Sequence, residues 1–335
     1  MSSIPSQTET DAQTKVQPEA HKPQRSHVWL KYLWDQYSVV FAFIVLVVFA
    51  AILSDSFLSI ANVTNVLRQI SIIGVLAVGM TFVILLGGID LSVGSVLALT
   101  GTVIMASQAD FGLPVFAAIG LGLLAGALIG IVNGLMITYG KIAAFIVTLA
   151  MMTIARSLAL YYADAGAISG TNMQYAAIGN GYLWRIPVPV IIFVMIVLIA
   201  YILLERTTFG RHVYAVGGNL QAARLSAVPV YRVTVLAYMI CGLTAAVGAV
   251  IETSRLNSVS TSSSGIMYEL DAIAAVIIGG ASLAGGRGRV IGTLFGVLIL
   301  GVLSNVMNLL NISPYIQGVV KGAIILAAVL LQKRG

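Results

Sequence analysis

The sequence predicts an all-α membrane protein, a glycine-rich bundle of about ten transmembrane helices with both termini in the cytoplasm. Of its 335 residues, 59% are hydrophobic and only 9% are charged, whereas a soluble globular domain carries roughly 25% charged residues. Apolar segments recur from Val39 to Leu331, which excludes a soluble domain held by a single anchor. Many of the 34 glycines fall inside these segments, and small residues let helix backbones pack closely in lipid.

The apolar segments can be placed one by one, because about 20 mostly apolar residues are needed to cross the hydrocarbon core. The segments 94–108 and 270–284 are short for a full crossing and adjoin glycine-rich turns at 87–90 and 285–288. Irregular backbone is tolerated in a membrane only where protein or a cavity covers it, so both segments are predicted to be broken or deeply buried. The ten predicted spans are 37–53, 69–86, 94–108, 113–137, 142–162, 187–204, 233–252, 270–284, 290–309 and 315–332.

The distribution of basic residues predicts the orientation, because cytoplasmic loops carry an excess of Lys and Arg. With the N-terminus inside, only Arg68, Arg185 and Arg255 fall in outer loops, and Arg156 and Lys321 fall within spans. The formal charge of +6 is therefore explained by orientation, and nucleic acid is not expected as a partner. The thirteen cytoplasmic basic residues are Lys15, Lys22, Arg25, Lys31, Lys141, Arg206, Arg211, Arg224, Arg232, Arg287, Arg289, Lys333 and Arg334.

The N-terminal 36 residues differ in composition from the rest of the chain. They are polar and lack the apolar core of a signal peptide, so residues 1–36 are predicted to be a disordered cytoplasmic tail. Residues 37–335 then form the transmembrane domain.

Catalytic and metal chemistry are not expected in this chain. The single cysteine, Cys241, lies in an apolar run and is predicted to be a small buried side chain. The histidines at 21, 27 and 212 do not have metal-ligand spacing. The chain also contains no G-x-x-x-x-G-K-[ST] motif. We therefore predict a non-enzymatic chain with no cofactor of its own.

The longest predicted cytoplasmic loop, residues 205–232, contains the signature of a short helix. Gly217 and Gly218 precede Asn219, a residue type that caps helix N-termini, and Pro229 ends the segment. A short helix with small alanine side chains on its surface suits insertion into a groove on a partner protein. A plain connector between two spans fits the same pattern equally well.

Three stretches of sequence resemble the permease subunits of ribose-type ABC importers. GMTFVILLGGIDLSVGSVLALTG at 79–101 and YELDAIAAVIIGGASLAGGRGRVIGTLFGVLILGVLSN at 268–305 are similar to that family. The loop is similar to the family's coupling signature, GGN-x-x-AARLSG, with Ala227 where Gly is usual. The resemblance extends from about Leu53 to the end. The matching residues of the loop are Gly217, Gly218, Asn219, Ala222, Ala223, Arg224, Leu225 and Ser226.

The resemblance implies a division of labour among several proteins. It implies a multi-pass permease in the bacterial inner membrane that forms the pathway for a monosaccharide, a ribose-like pentose or a hexose. Two separate ATPase subunits would bind ATP and dock on the coupling loop, a periplasmic binding protein would deliver the sugar, and a second permease chain, identical in a homodimer, would complete the pathway.

Polar residues within or beside the spans are candidates for the pathway or its gate. Asp90 and Ser92 follow Gly87 and Gly88, and Asp90 is placed to cap a helix that starts at Leu91. Asn133 and Asn305 lie inside spans, where amides also join helices by hydrogen bonds. Both roles stay open for these four residues.

Charged residues near the outer surface have two interpretations. Glu252, Glu269 and Asp271 flank the predicted outer loop 253–268 and are candidate contacts for the binding protein, although a hydrated loop would contain the same groups. Arg156 lies inside a predicted span, where an ionisable group is normally paired or faces water. Its position near Tyr161 favours a side chain that reaches outward to the interface.

The main alternative from another class is a sugar transporter driven by an ion gradient. Such proteins place carboxylates or histidines near the middle of the membrane. Here the acidic residues fall near the predicted span ends, which favours the ATP-driven permease.

Overall fold

A computed structural model describes the backbone of residues 25–332 and the side chains of residues 39–330. Residues 1–24, most of the predicted tail, lie outside the described residues. The described chain contains thirteen helices and four short strands. The helices are α1 (Arg25–Leu53), α2 (Ile60–Leu85), α3 (Val93–Ala109), α4 (Val115–Thr138), α5 (Ala144–Tyr162), α6 (Met173–Asn180), α7 (Val188–Arg206), α8 (Thr208–Gly218), α9 (Leu220–Leu225), α10 (Val230–Leu256), α11 (Tyr268–Ile278), α12 (Val290–Leu309) and α13 (Pro314–Gln332). The strands are β1 (Ala167–Ser169), β2 (Tyr182–Leu183), β3 (Ile186–Pro187) and β4 (Ser258–Ser260).

A helix overlaps each of the ten predicted spans, although α11 ends at Ile278 and so covers only the first part of the predicted span 270–284; α6, α8 and α9 are additional. Among the described residues, six helices are long and apolar enough to cross a membrane, namely α2, α4, α5, α7, α10 and α12. Shorter apolar helical stretches cover Val39–Leu53, Val93–Ala109 and Pro314–Leu330.

Two helix starts differ from the sequence prediction. Helix α1 begins at Arg25, so residues 25–36 of the predicted tail are helical. Helix α2 begins at Ile60 and not at 69, because Ser59 caps it by accepting a hydrogen bond from the Asn62 amide at 3.3 Å. The polar first turns of α2 carry side-chain amides that form hydrogen bonds to other elements. Because of this polarity, the apolar run in the sequence begins later than the helix does.

Helices α2 and α10 form the centre of the bundle. Helix α10 packs against α2, α3 and α4, and most of its residues from Ala237 to Ser254 are buried. Glycines allow the close approach of α4 to α10: a Cβ added at Gly126 would lie 2.5 Å from the carbonyl oxygen of Gly242. This is the small-residue packing expected of helices in lipid.

The two short predicted spans are buried or broken, as expected. Helix α3 is buried along most of its length. Helix α11 has 11 residues and rises about 16 Å, roughly half of a bilayer core. Before it, β4 pairs antiparallel with β1 and the chain runs through turns to Met267. Residues 257–278 therefore form one discontinuous segment, whose first half consists of β4 and turns and whose second half is helical.

Contacts between connecting segments fall at two opposite ends of the bundle. At one end the Tyr139 and Tyr231 rings stack with centroids 5.4 Å apart, and the Gly286 amide donates to the Leu85 carbonyl at 2.9 Å. At the other end the Tyr162 hydroxyl donates to the Asp110 carboxylate at 2.8 Å. The first group joins segments predicted as inner, and the second joins segments predicted as outer.

Candidate functional site

The predicted coupling segment folds as a short capped helix. The Asn219 side chain accepts a hydrogen bond from the Ala222 amide at 2.9 Å, so Asn219 is the N-cap of α9. At the other end the Ala227 amide donates to the Arg224 carbonyl at 3.1 Å and the Val228 amide donates to the Ala223 carbonyl at 3.0 Å. These two bonds form a Schellman motif, which ends a helix with a residue of left-handed backbone.

The exposed surface of α9 is not the one that its alanines suggest. Ala223 is buried, at 4% exposure, in the main hydrophobic core, so the expectation of an alanine surface is wrong for this residue. Leu225 is 89% exposed, and Ala222, Arg224 and Ser226 are also exposed. Ala223 thus anchors the segment to its own chain, while Leu225 presents an apolar side chain outward.

Ala227 occupies a backbone conformation that favours glycine. Its φ is 57°, in the left-handed region where a Cβ costs roughly 1–2 kcal/mol. The glycine of the family signature at this position therefore has a structural reason, and this chain carries strain there.

We expect Ala227→Gly to stabilise the end of α9 by about 1 kcal/mol, because it removes that strain. Hydrogen exchange at the amides of Ala227 and Val228 should slow roughly fivefold. Ala222→Gly is the matched control: it makes the same change inside the helix, where glycine costs about 1 kcal/mol, and should accelerate exchange. Equal effects of the two substitutions would contradict this assignment.

Gly217 joins the coupling segment to the rest of the bundle. A Cβ at Gly217 would overlap the Leu85 carbonyl oxygen and lie 2.7 Å from the Gly286 amide nitrogen. The end of α8 therefore meets the end of α2 and the 279–289 loop backbone to backbone, an arrangement we call the inner junction. Gly285 and Gly286 have φ of 87° and 71°, which only glycine adopts readily.

Three of the four candidate gate residues form one buried cluster. The Asp90 carboxylate accepts hydrogen bonds from the Ser92 amide at 2.9 Å and the Ser92 hydroxyl at 2.6 Å. The Asn133 amide nitrogen donates to the Ser92 hydroxyl at 3.1 Å. All three residues are at most 1% exposed. The cluster ties the turn between α2 and α3 to α4.

The helix after Asp90 starts later than predicted. Helix α3 begins at Val93, so Asp90 does not cap a helix starting at Leu91 but closes a turn through Ser92. Burial raises the pKa of Asp90, and the hydrogen bonds from Ser92 partly oppose that rise. Near this turn, the buried Tyr238 hydroxyl and the Asn133 side-chain oxygen have no partner among the described residues.

The fourth candidate, Asn305, lies apart from this cluster. Its amide exchanges two hydrogen bonds with the Asn62 amide, at 2.9 and 2.8 Å. This reciprocal pair joins the first turns of α2 to the last turns of α12, near the opposite end of the bundle.

The three acidic candidates for binding-protein contact occupy different environments. Glu252 is 5% exposed, so its side chain lies inside the bundle and not on the outer surface of this chain. Asp271 forms an ion pair with Lys321 at 2.9 Å, between α11 and α13. Glu269 is half-buried and lines a cavity beside α5.

Arg156 is held within the protein and does not simply reach toward water. Its Nη1 donates to the Thr261 carbonyl at 2.9 Å and the Ser264 carbonyl at 2.8 Å. These carbonyls belong to the turns in the non-helical half of the discontinuous segment. These two hydrogen bonds could not be predicted from the sequence, because both acceptors are backbone atoms and any residue type could supply them.

A tryptophan at the predicted outer end of the bundle was not among the functional residues predicted from the sequence. Trp184 and Arg185 form the turn between the two-residue strands β2 and β3, and Trp184 is 97% exposed, with φ of 60°. The neighbouring Tyr182 ring lies 4.7 Å from the Arg68 guanidinium. Within the described residues, no group of His, Cys, Asp and Glu could hold a metal ion.

Comparison with known proteins places this arrangement in a family. Residues 62–329 match the family described as branched-chain amino acid transport system / permease component. The chain is 51% identical to the ribose import permease protein RbsC of Bacillus subtilis over 87% of this chain and 90% of that protein. It is 40% identical to the L-arabinose transport system permease protein AraH of Escherichia coli, over 90% and 91% of the two chains.

A third relative, the D-allose transport system permease protein AlsC of Escherichia coli, is 35% identical over 96% of this chain and 98% of its own length. No solved structure matches the fold.

Proposed function

Because the chain belongs to the family of branched-chain amino acid transport system / permease components, we propose that it is the membrane-spanning subunit of an ABC importer for a monosaccharide. The observation that carries the proposal is the 51% identity to a ribose import permease along nearly the whole chain. Relatives named for ribose, L-arabinose and D-allose all concern monosaccharides, and this favours the substrate class over any single sugar.

The ATPase subunits would dock on α9. Leu225 is an exposed apolar side chain surrounded by exposed polar and small residues. Such a side chain is suited to insertion into a groove on a partner protein. The chain has no P-loop of its own. ATP would therefore be bound and hydrolysed entirely by the partner subunits, and the permease would act as a transport component without an active site.

Ten crossings with both termini in the cytoplasm remain our proposal for the topology. The discontinuous segment 257–278 would supply one crossing, with β4 outside and the end of α11 inside. In support, contacts join predicted inner segments to each other and predicted outer segments to each other, as the pairs Gly286–Leu85 and Tyr162–Asp110 illustrate. The excess of basic residues at the inner end has the sign that cytoplasmic loops require.

The periplasmic binding protein would dock at the opposite end. The exposed Trp184, together with Arg185 and Leu183 in the β2–β3 hairpin, offers the combination of aromatic and arginine side chains common at protein interfaces. A second copy of this chain would complete the pathway, as the family resemblance implies for a homodimer.

Co-purification tests the proposal directly. When the tagged chain is extracted in mild detergent with its native partners, we expect a stoichiometric ATPase to accompany it. After reconstitution with that ATPase and the binding protein, uptake of D-ribose, L-arabinose or D-allose should require ATP.

The opposite outcome would support the ion-coupled transporter. A chain that purifies alone and accumulates sugar in liposomes under a proton or sodium gradient, without ATP, would overturn the proposed function.

A further inference from the structure

The break in the discontinuous segment opens a cavity beside α5. The cavity has a volume of about 320 Å³, at the lower end of the range for small-molecule sites. Its walls come from residues 152–157 of α5, Ser95 in the first turn of α3, and residues 265–269 before and within α11. Because α5 runs from Ala144 to Tyr162, the cavity lies at the middle of a helix that is long enough to span the membrane.

A cation and a carboxylate face this cavity without pairing with each other. Arg156 and Glu269 both line it. Among residues 39–330 the one ion pair within 4.0 Å joins Lys321 to Asp271, so the Arg156 and Glu269 charges are held further apart. Two opposite charges that line one cavity without forming an ion pair can each bond to a ligand bound there.

The unused hydrogen-bonding capacity of Arg156 points the same way. Both of its hydrogen bonds to the described part of the protein come from Nη1. A guanidinium has five N–H donors, so Nη2 and Nε keep donors for a ligand. The bonds to Thr261 and Ser264 fix the direction of the side chain, because they hold one end of its fork.

The position of Glu269 is also determined by backbone packing. Gly94 and Gly265 pack so closely that a Cβ at either residue would overlap the other's segment, and a Cβ at Gly94 would lie 2.6 Å from the Glu269 carboxylate. Glu269 therefore lies against the first turn of α3, where the helix dipole favours a negative charge. Irregular backbone at membrane depth occurs where it lines a cavity.

We propose that this cavity is a transient binding site for the sugar during its passage through the permease. There Arg156 donates hydrogen bonds to the sugar hydroxyls, and Glu269 accepts hydrogen bonds from them. The proposal rests on the proposed function and names residues for it. A hydroxyl both donates and accepts, so a monosaccharide can bridge the two charges. Ser95, Thr153 and Ser157 add hydroxyl groups, while Met152 and Met267 provide apolar contact for the C–H faces of the ring.

Transport by Glu269→Gln tests the proposal in the reconstituted complex of permease, ATPase and binding protein. The amide keeps the shape but loses the charge, so sugar moved per ATP hydrolysed should fall about tenfold. The ratio of D-ribose to D-allose uptake should also change, since the lost contact serves different hydroxyls in the two sugars. Asp164→Asn is the control, because it removes an exposed carboxylate predicted on the outer side without touching the cavity.

The results separate three cases. Uptake by Glu269→Gln within twofold of the unaltered chain would overturn the proposal while leaving the proposed function intact. An equal loss for both sugars accompanied by a lower unfolding temperature would overturn it as well, because that pattern indicates a structural role. Failure of the unaltered complex to import either sugar would overturn the proposed function itself.

Cysteine labelling gives a second readout that does not need ATP. The only native cysteine, Cys241, is buried, so a water-soluble maleimide would report on a cysteine introduced by Thr153→Cys in the cavity. D-Ribose at high millimolar concentration should slow that labelling and should leave labelling of Ser262→Cys, outside the cavity, unchanged. Equal labelling of Thr153→Cys with and without D-ribose would contradict the proposed site.

Discussion

Replacing Leu225 with glutamate should detach the ATPase subunits from this chain without unfolding it. The Leu225 side chain is 89% exposed, so it contributes little to the stability of the permease fold. Burying a leucine in a partner's groove contributes about 1.5–3 kcal/mol, and placing a carboxylate there adds a desolvation cost. We expect ATPase affinity to fall by at least roughly 100-fold and ATP-driven uptake to be lost.

The matched control for this prediction is Leu225→Met, which keeps an apolar side chain of similar volume and should retain coupling. Affinity is measured by titrating purified ATPase onto the permease in nanodiscs, and folding by the thermal unfolding midpoint. A Leu225→Glu chain that still binds ATPase within a few-fold of the unaltered chain would remove α9 from the docking surface.

Gly217→Ala should damage the fold itself. The added Cβ meets the Leu85 carbonyl oxygen and the Gly286 amide nitrogen, which are backbone atoms and cannot rotate away. The hydrogen bond between these two groups, 2.9 Å long, would have to lengthen or break. Overpacking of this kind costs about 1–3 kcal/mol, and loss of the buried bond adds about 1 kcal/mol.

The adjacent glycine supplies the control for Gly217→Ala. A Cβ at Gly218 would meet nothing within 4 Å, so Gly218→Ala should leave stability unchanged or slightly raised. The two variants are compared by thermal unfolding in the same detergent and by uptake. Similar unfolding midpoints for both would show that the inner junction is looser than its backbone contacts imply.

The helical architecture could be predicted from the sequence because lipid imposes one strong rule, a long apolar run for each crossing. The span 290–309 was predicted with the bounds that α12 has. The rule failed where polarity concealed a helix, as in the first turns of α2, where Asn62 pairs with Asn305. It also could not separate the non-helical half of segment 257–278 from its helical half.

The site was predictable where a motif determines local structure and not where tertiary packing does. Asn219 caps α9 as its residue type indicates. The burial of Ala223 and the exposure of Leu225 depend on the orientation of α9, which its six residues do not encode. The cavity of Arg156 and Glu269 joins residues far apart in the chain through backbone acceptors, so no spacing rule reveals it.

The inner junction has a mechanical consequence. Side chains can change rotamer and absorb a displacement, but the Gly217, Leu85 and Gly286 contacts involve main-chain atoms and have no such compliance. A displacement of α9 would therefore be transmitted to the end of α2 and the start of α12 with little reduction in amplitude. Such stiffness favours tilting of whole helices over rearrangement within them. The conformational change of the importer would then depend on Gly217 and Gly286 having no side chain.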